Sequence, residues 1–216
     1  MIGLMMMKNK VSLIEEYLDT LYPNPRCELD YVYDYQLLIA TVLSAQCTDK
    51  RVNSVTKILW SKYNSLYELS VADISDVENI LRPLGSFRKK AIYIVGIAKI
   101  LISEYDSKVP NDRVILESLP GVGRKTTNVV LSNLFDYPAI AVDTHVDRVS
   151  KRLGLAAKND SVLTVENKLM KKINKNNWSK IHHQLVLFGR YNCKAVNPDC
   201  TNCKLKEICK NKLKDS

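Results

Sequence analysis

Apolar residues recur at three- and four-residue spacing through residues 11–21, 37–43, 52–60 and 91–102. That is the period of a helix with one buried face, and it leaves little room for a sheet. The same pattern predicts helices over residues 111–118, 124–135, 144–153, 162–173 and 178–191. Only Val142 and its neighbours look extended, and they are too few to build a sheet. The expected fold class is therefore all-α. Ser75 followed by Glu78 fits a capping box at the head of a short helix over residues 77–81, which Pro83 and Gly85 end. Pro23-Asn-Pro25 and Asp136-Tyr-Pro138 block helical continuation, and two lobes are expected to meet at the second break. With 216 residues, 46% of them hydrophobic, a packed core is within reach for one sizeable domain or two small ones.

Between the helices predicted over 111–118 and 124–135 lies Leu119-Pro-Gly-Val-Gly-Arg-Lys125. Gly121 and Gly123 permit a tight turn with close backbone approach, so N–H groups at the start of the second helix can grip a phosphate. Lys125 falls in the first turn of that helix. The positive end of the helix dipole disfavours a second charge there and so favours the neutral amine that a nucleophile must be. Asp143, in Ala-Val-Asp-Thr-His, reads as the N-cap of the next helix. A phosphate grip, an amine and a carboxylate point to chemistry on a nucleic acid. A net charge of +9 favours a polyanionic partner.

Four of the six cysteines, Cys193, Cys200, Cys203 and Cys209, crowd into the C-terminal end with six, two and five residues between them. In a Lys-rich chain of this size the clustering suits a metal site better than a disulfide framework. Thiolates so spaced can close around one soft metal centre, and spacing alone leaves zinc and iron–sulfur even. Cys27 and Cys47 read as ordinary thiols. The apolar start, Met1 to Met7, is too short for a secretory signal, and the natural start is open among Met5, Met6 and Met7. No run reaches membrane-span length. The expectation is a soluble protein of the cytoplasm or nucleoid with no membrane partner.

Taken together, Leu37-Leu-Ile-Ala-Thr-Val-Leu-Ser-Ala-Gln-Cys-Thr-Asp49, Leu119 to Lys125, Ala141 to His145 and the four cysteines resemble the endonuclease III family of helix-hairpin-helix DNA glycosylases. The resemblance implies a two-lobed all-α fold. A six-helix barrel would span residues 27–137, with the helix-hairpin-helix at about 111–135. The second domain would join residues 1–26 to 138–216 and end in a cluster loop at 193–209. It implies double-stranded DNA with damaged bases as the partner, bound across a cleft with the damaged nucleotide flipped out. A monomer is the default for an enzyme of this kind.

The resemblance also assigns roles. Lys125 would attack C1′ and expel the base through a Schiff base, after which β-elimination would cut the strand. Asp143 would stabilise positive charge on the sugar or relay a proton, and Glu117 and His145 would support the pair. Gly121, Val122, Gly123 and Arg124 would hold the DNA backbone, and Gln46 would enter the gap left by the flipped nucleotide. Where relatives often carry a leucine wedge this chain has Ser86, so Phe87 or the loop backbone would stand in for it. The four cysteines match the family's [4Fe–4S] pattern, with zinc the alternative; the cluster would present Lys194, Lys204 and Lys206 to DNA, ahead of a solvated tail at Lys210 to Lys214. Relatives that remove mismatched adenine or thymine lack the lysine. Its presence therefore implies a bifunctional glycosylase and lyase acting on oxidised or ring-saturated pyrimidines. The alternatives are the same lysine chemistry on oxidised purines or abasic sites, and a helix-hairpin-helix module that binds DNA without cutting it.

Overall fold

A computed structural model describes residues 2–210, and the side chains of residues 10–210. Lys212 and Lys214 of the expected solvated tail lie outside the described residues, as does Met1. Among the described residues every regular element is helical, so the all-α expectation holds. None of these helices is long and apolar enough to cross a membrane. The chain divides into two compact units, one of Met1–Cys27 with Asp136–Ser216, the other of Glu28–Phe135.

The Glu28–Phe135 unit holds α2 (Asp34–Leu43), α3 (Asp49–Lys62), α4 (Leu66–Ser70), α5 (Ile74–Leu81), α6 (Phe87–Glu104), α7 (Arg113–Ser118) and α8 (Arg124–Leu134). Its core is organised around α6, which packs on α2, α4 and α5. The buried face of α6 runs through Lys90, Ile94, Ile97, Ala98 and Leu101, a helical stripe that begins with a charged residue. Helix α4 is too short for periodicity to reveal. The predicted Ser75 cap is corrected by the structure: Asp73 is the N-cap of α5, its Oδ1 accepting from the Ser75 N–H at 2.7 Å. Aspartate is a strong N-cap and adds charge at the positive end of the dipole, so the helix starts earlier than the Ser–Glu pattern suggested.

In the other unit, Ile14 and Leu18 of α1 (Ile2–Leu21) pack with Ile140 and Val142 of an extended, non-strand segment. Val146 and Val149 of α9 (Thr144–Arg152), Leu169 of α10 (Val162–Lys172), and Leu185 and Phe188 of α11 (Trp178–Tyr191) complete that core. Helices α9 and α11 cross closely because Gly189 has no side chain; a Cβ there would lie 2.8 Å from His145 Cβ.

Candidate active site

The hairpin of the Glu28–Phe135 unit is assembled from ordinary local chemistry. Asp112 caps α7 by accepting from the Ile115 N–H at 2.9 Å. Leu119 and Val122, both buried, pin the following turn, and the Val122 N–H donates to Leu119 O at 3.1 Å. Arg113 locks the two helices, donating from Nη1 to Glu117 Oε1 at 3.0 Å and from Nη2 to Asn128 Oδ1 at 2.7 Å. The turn rests on α6: Pro120 packs against Gly96, and Gly121, at φ +73, lies on the Tyr93 ring.

That seating leaves no room for a side chain at Gly121. Gly121→Ala is expected to destabilise the protein by about 1–3 kcal/mol, from left-handed backbone strain and pressure on Tyr93. Gly123→Ala should cost less, since its φ is −119 and an added Cβ there meets nothing within 4 Å. Thermal melting of the two variants side by side checks this.

Gly123 is the N-cap of α8 and offers no side chain to its first turn, whose leading N–H groups have no partner within the helix. Gly121, Gly123, Arg124 and Lys125 are all exposed there. The Lys125 side chain makes no hydrogen bond or ion pair among the described residues. Glu117 sits on α7 with its carboxylate engaged by Arg113. Gln46 is exposed in the turn after α2 at φ 57, and Ser86 is exposed at the head of α6 at φ 56. Phe87 is half-buried, with the Arg88 guanidinium 5.1 Å over its ring.

Asp143 belongs to the other unit and caps α9 as expected. Its Oδ1 accepts from both the His145 N–H and the Val146 N–H at 2.8 Å. Both bonds fall on one oxygen; Oδ2 carries none among the described residues. His145 is half-buried and stacks its backbone on Gly189. Burial holds its imidazole below the ordinary value, opposed by Asp143 and reinforced by Arg148 and Arg190. Arg148 Nη2 lies 3.2 Å from its Nδ1. His182 is buried, and burial with Arg190 nearby pushes His183 down to about 4.

The cysteine loop is tied to α9. Arg148 donates to Gly189 O at 2.8 Å and Cys193 O at 3.2 Å. Arg152 donates to Lys194 O at 2.6 Å and to Ala195 O at 3.1 Å, and its Nη1 lies 3.3 Å from Cys193 Sγ. The Lys210 N–H and the Cys209 thiol both donate to Arg152 O, at 2.7 and 3.4 Å. One helix thus anchors the first and last cysteines. Sequence reading passed over Arg148 and Arg152, although their four-residue spacing puts them on one helical face. Burial pushes the Cys203 thiol up, the Leu205 N–H opposes it, and Cys193, Cys200 and Cys209 add to the rise. The four thiols are therefore electrostatic neighbours. Even so, no three His, Cys, Asp or Glu residues among the described ones stand close enough to hold a metal ion. Lys194, Lys204 and Lys206 are exposed around the loop.

A family model described as HhH-GPD superfamily base excision DNA repair protein matches residues 39–175, and curated relatives named Endonuclease III align along most of the chain. This chain belongs to the endonuclease III family. It is 47% identical to Endonuclease III of Bacillus subtilis (strain 168), over 88% of this chain and 87% of that protein. With Endonuclease III of Escherichia coli (strain K12) it shares 40% identity over 89% of this chain and 90% of the relative. Among solved structures, a trapped Endonuclease III–DNA covalent intermediate superposes with a TM-score of 0.90 at 47% identity, covering 94% of this chain and 95% of the other.

Proposed function

We propose that this member of the endonuclease III family is a bifunctional DNA glycosylase and abasic-site lyase, which removes oxidised or ring-saturated pyrimidines from duplex DNA. The observation that carries the reading is Lys125: an exposed, unpaired amine in the first turn of α8, directly behind a glycine hairpin whose N-cap, Gly123, has no side chain. A relative at 47% identity has been trapped covalently on DNA, which supports a nucleophilic route.

The chemistry follows from the groups. Gly121 to Arg124 hold a phosphate beside the positive end of α8. Lys125 Nζ, once deprotonated, attacks C1′ of the flipped nucleotide; the C1′–N bond to the base breaks, the base leaves with that electron pair, and the proton then shed by Nζ goes to the departing base. Asp143 Oδ2 stabilises the positive charge that develops on the sugar, while Oδ1 stays committed to the cap. Opening of the C1′–O4′ bond, with a proton to O4′, gives an iminium between C1′ and Nζ. A base then takes a C2′ proton, the C2′–H electrons pass into the iminium, and the C3′–O bond breaks with the phosphate as leaving group, which cuts the strand; water hydrolyses the remaining imine and releases the enzyme. Arg113 fixes Glu117 one helix before the amine, where it supports proton movement. Borohydride trapping on a duplex with one thymine glycol tests the reading: wild type gives a covalent band and Lys125→Ala gives none. Binding without any band, on thymine glycol and on an abasic duplex alike, would leave only a DNA-binding module.

A [4Fe–4S] cluster fits the donor set. Cys193, Cys200, Cys203 and Cys209 would supply four thiolates, a soft and all-sulfur set whose first and last members Arg152 anchors. Such a cluster would close the terminal loop through these four cysteines, leaving the exposed Lys194, Lys204 and Lys206 to contact phosphates without regard to sequence. Purified protein is expected to be brown with about four irons per chain, and Cys203→Ser should lose colour and iron together. One tightly held zinc in colourless protein would favour the alternative.

A further inference from the structure

Lys90 lies one turn into α6 and is only 4% exposed. An ammonium there gives up its hydration and must find acceptors inside the protein. Its partners are not carboxylates. Nζ donates to the backbone carbonyl of Ala45 at 2.8 Å and to Cys47 Sγ at 3.4 Å. Those two residues flank Gln46, whose φ of 57 is costly for any residue with a β-carbon. The Lys90 N–H also donates to Ser86 O at 3.1 Å, and Ser86 likewise stands in the left-handed region. A single residue ties the turn at 45–47 to the turn at 85–86.

Stability alone does not explain this arrangement. Buried unpaired charge is a poor way to hold a core, and an apolar residue would complete the stripe of Ile94, Ile97 and Leu101 at no desolvation cost. We infer that Lys90 is a positioning residue for damage recognition: its buried ammonium fixes the Ala45–Cys47 turn so that Gln46 stands ready to fill the gap left by the extruded nucleotide. This rests on the gap-filling reading of Gln46 and adds the group that sets its geometry. Prepaying the turn's strain in the free protein means that less ordering remains when DNA binds.

The test compares the full-length holoenzyme with Lys90→Met, Gln46→Ala and the double variant, on a thymine glycol duplex. Gln46→Ala is expected to raise KM by roughly tenfold with kcat within about twofold, the pattern of lost binding rather than lost chemistry. Lys90→Met should raise KM by roughly fivefold, and the double variant should be no worse than Gln46→Ala, since both act through one contact. A 2-aminopurine placed opposite a tetrahydrofuran abasic analogue gives an independent readout. Its fluorescence change on binding should be blunted alike in all three variants. If Lys90→Met fails to fold by circular dichroism, Lys90→Leu, which likewise removes the donor and suits the apolar stripe, carries the same comparison. Multiplying effects overturn the assignment, as does a wild-type KM in Lys90→Met beside an impaired Gln46→Ala. An unimpaired Gln46→Ala removes the gap-filling reading itself.

Discussion

Replacing Lys125 by alanine is expected to abolish borohydride trapping and to lower strand cutting by on the order of 10⁴-fold or more, as loss of a covalent nucleophile does. Base release should fall with it, because in the proposed mechanism the amine both expels the base and forms the iminium that makes the C2′ proton acidic. The protein should fold as well as before or slightly better. Lys125 is exposed, without a partner, and sits at the positive end of α8. Removing a cation from a helix N-terminus relieves about 0.3–1 kcal/mol of unfavourable dipole interaction, and alanine is the stronger helix former. Activity lost with a melting temperature unchanged or raised is the signature of a functional residue. Activity and melting temperature falling together would instead place Lys125 in the structure, and the nucleophile would have to be sought elsewhere.

The same contrast shows why this part of the site was legible in the sequence. Pro120, Gly121 and Gly123 interrupt two helical runs and prescribe a turn by local backbone chemistry, so Lys125 could be placed on its helix without tertiary information. Asp143 was readable as a cap for the same reason, since capping is a contact between near neighbours. The helix starts were less secure. Ser75 and Glu78 offered a plausible cap, but Asp73 took the position because a carboxylate two residues earlier reaches the Ser75 N–H at 2.7 Å.

Contacts between distant residues were not legible. Arg152 binds the backbone of Lys194 and Ala195 and offers its own carbonyl to Cys209. Carbonyl groups are the same at every residue, so no side-chain pattern announces such partners. Lys90 was hidden differently. In Arg88-Lys89-Lys90 it reads as one more member of a solvated basic run, yet it lies four, seven and eleven residues before Ile94, Ile97 and Leu101, on the buried stripe of α6. The run read at 91–102 stopped one residue short of it; carried back one position, the same periodicity puts Lys90 on the inner face. A charge on an apolar stripe is the signal that marks it out.

Asp143 offers the sharper dissection, because its observed cap and its proposed role at the sugar fall on different oxygens of one carboxylate. Asparagine can keep Oδ1 in the cap, accepting from the N–H groups of His145 and Val146, while placing a neutral amide where Oδ2 stood. Asn is about as good an N-cap as Asp, whereas alanine costs about 1 kcal/mol at such a position. Asp143→Asn is therefore expected to melt near wild type yet lose on the order of 10²–10⁴-fold in base excision, the span usual for a positioned acid–base or electrostatic group. Asp143→Ala should lose at least as much activity and should also melt lower. The deficit should lie in base removal. Given a preformed abasic site, whose C1′ already presents an aldehyde, Lys125 needs less help with developing positive charge, so Asp143→Asn should retain much more of its strand cutting. Single-turnover rates on thymine glycol and abasic duplexes, read beside the two melting curves, separate the roles. If the asparagine variant excises thymine glycol at the wild-type rate, Asp143 is a helix cap and nothing more, and the charge on the sugar is balanced by another group.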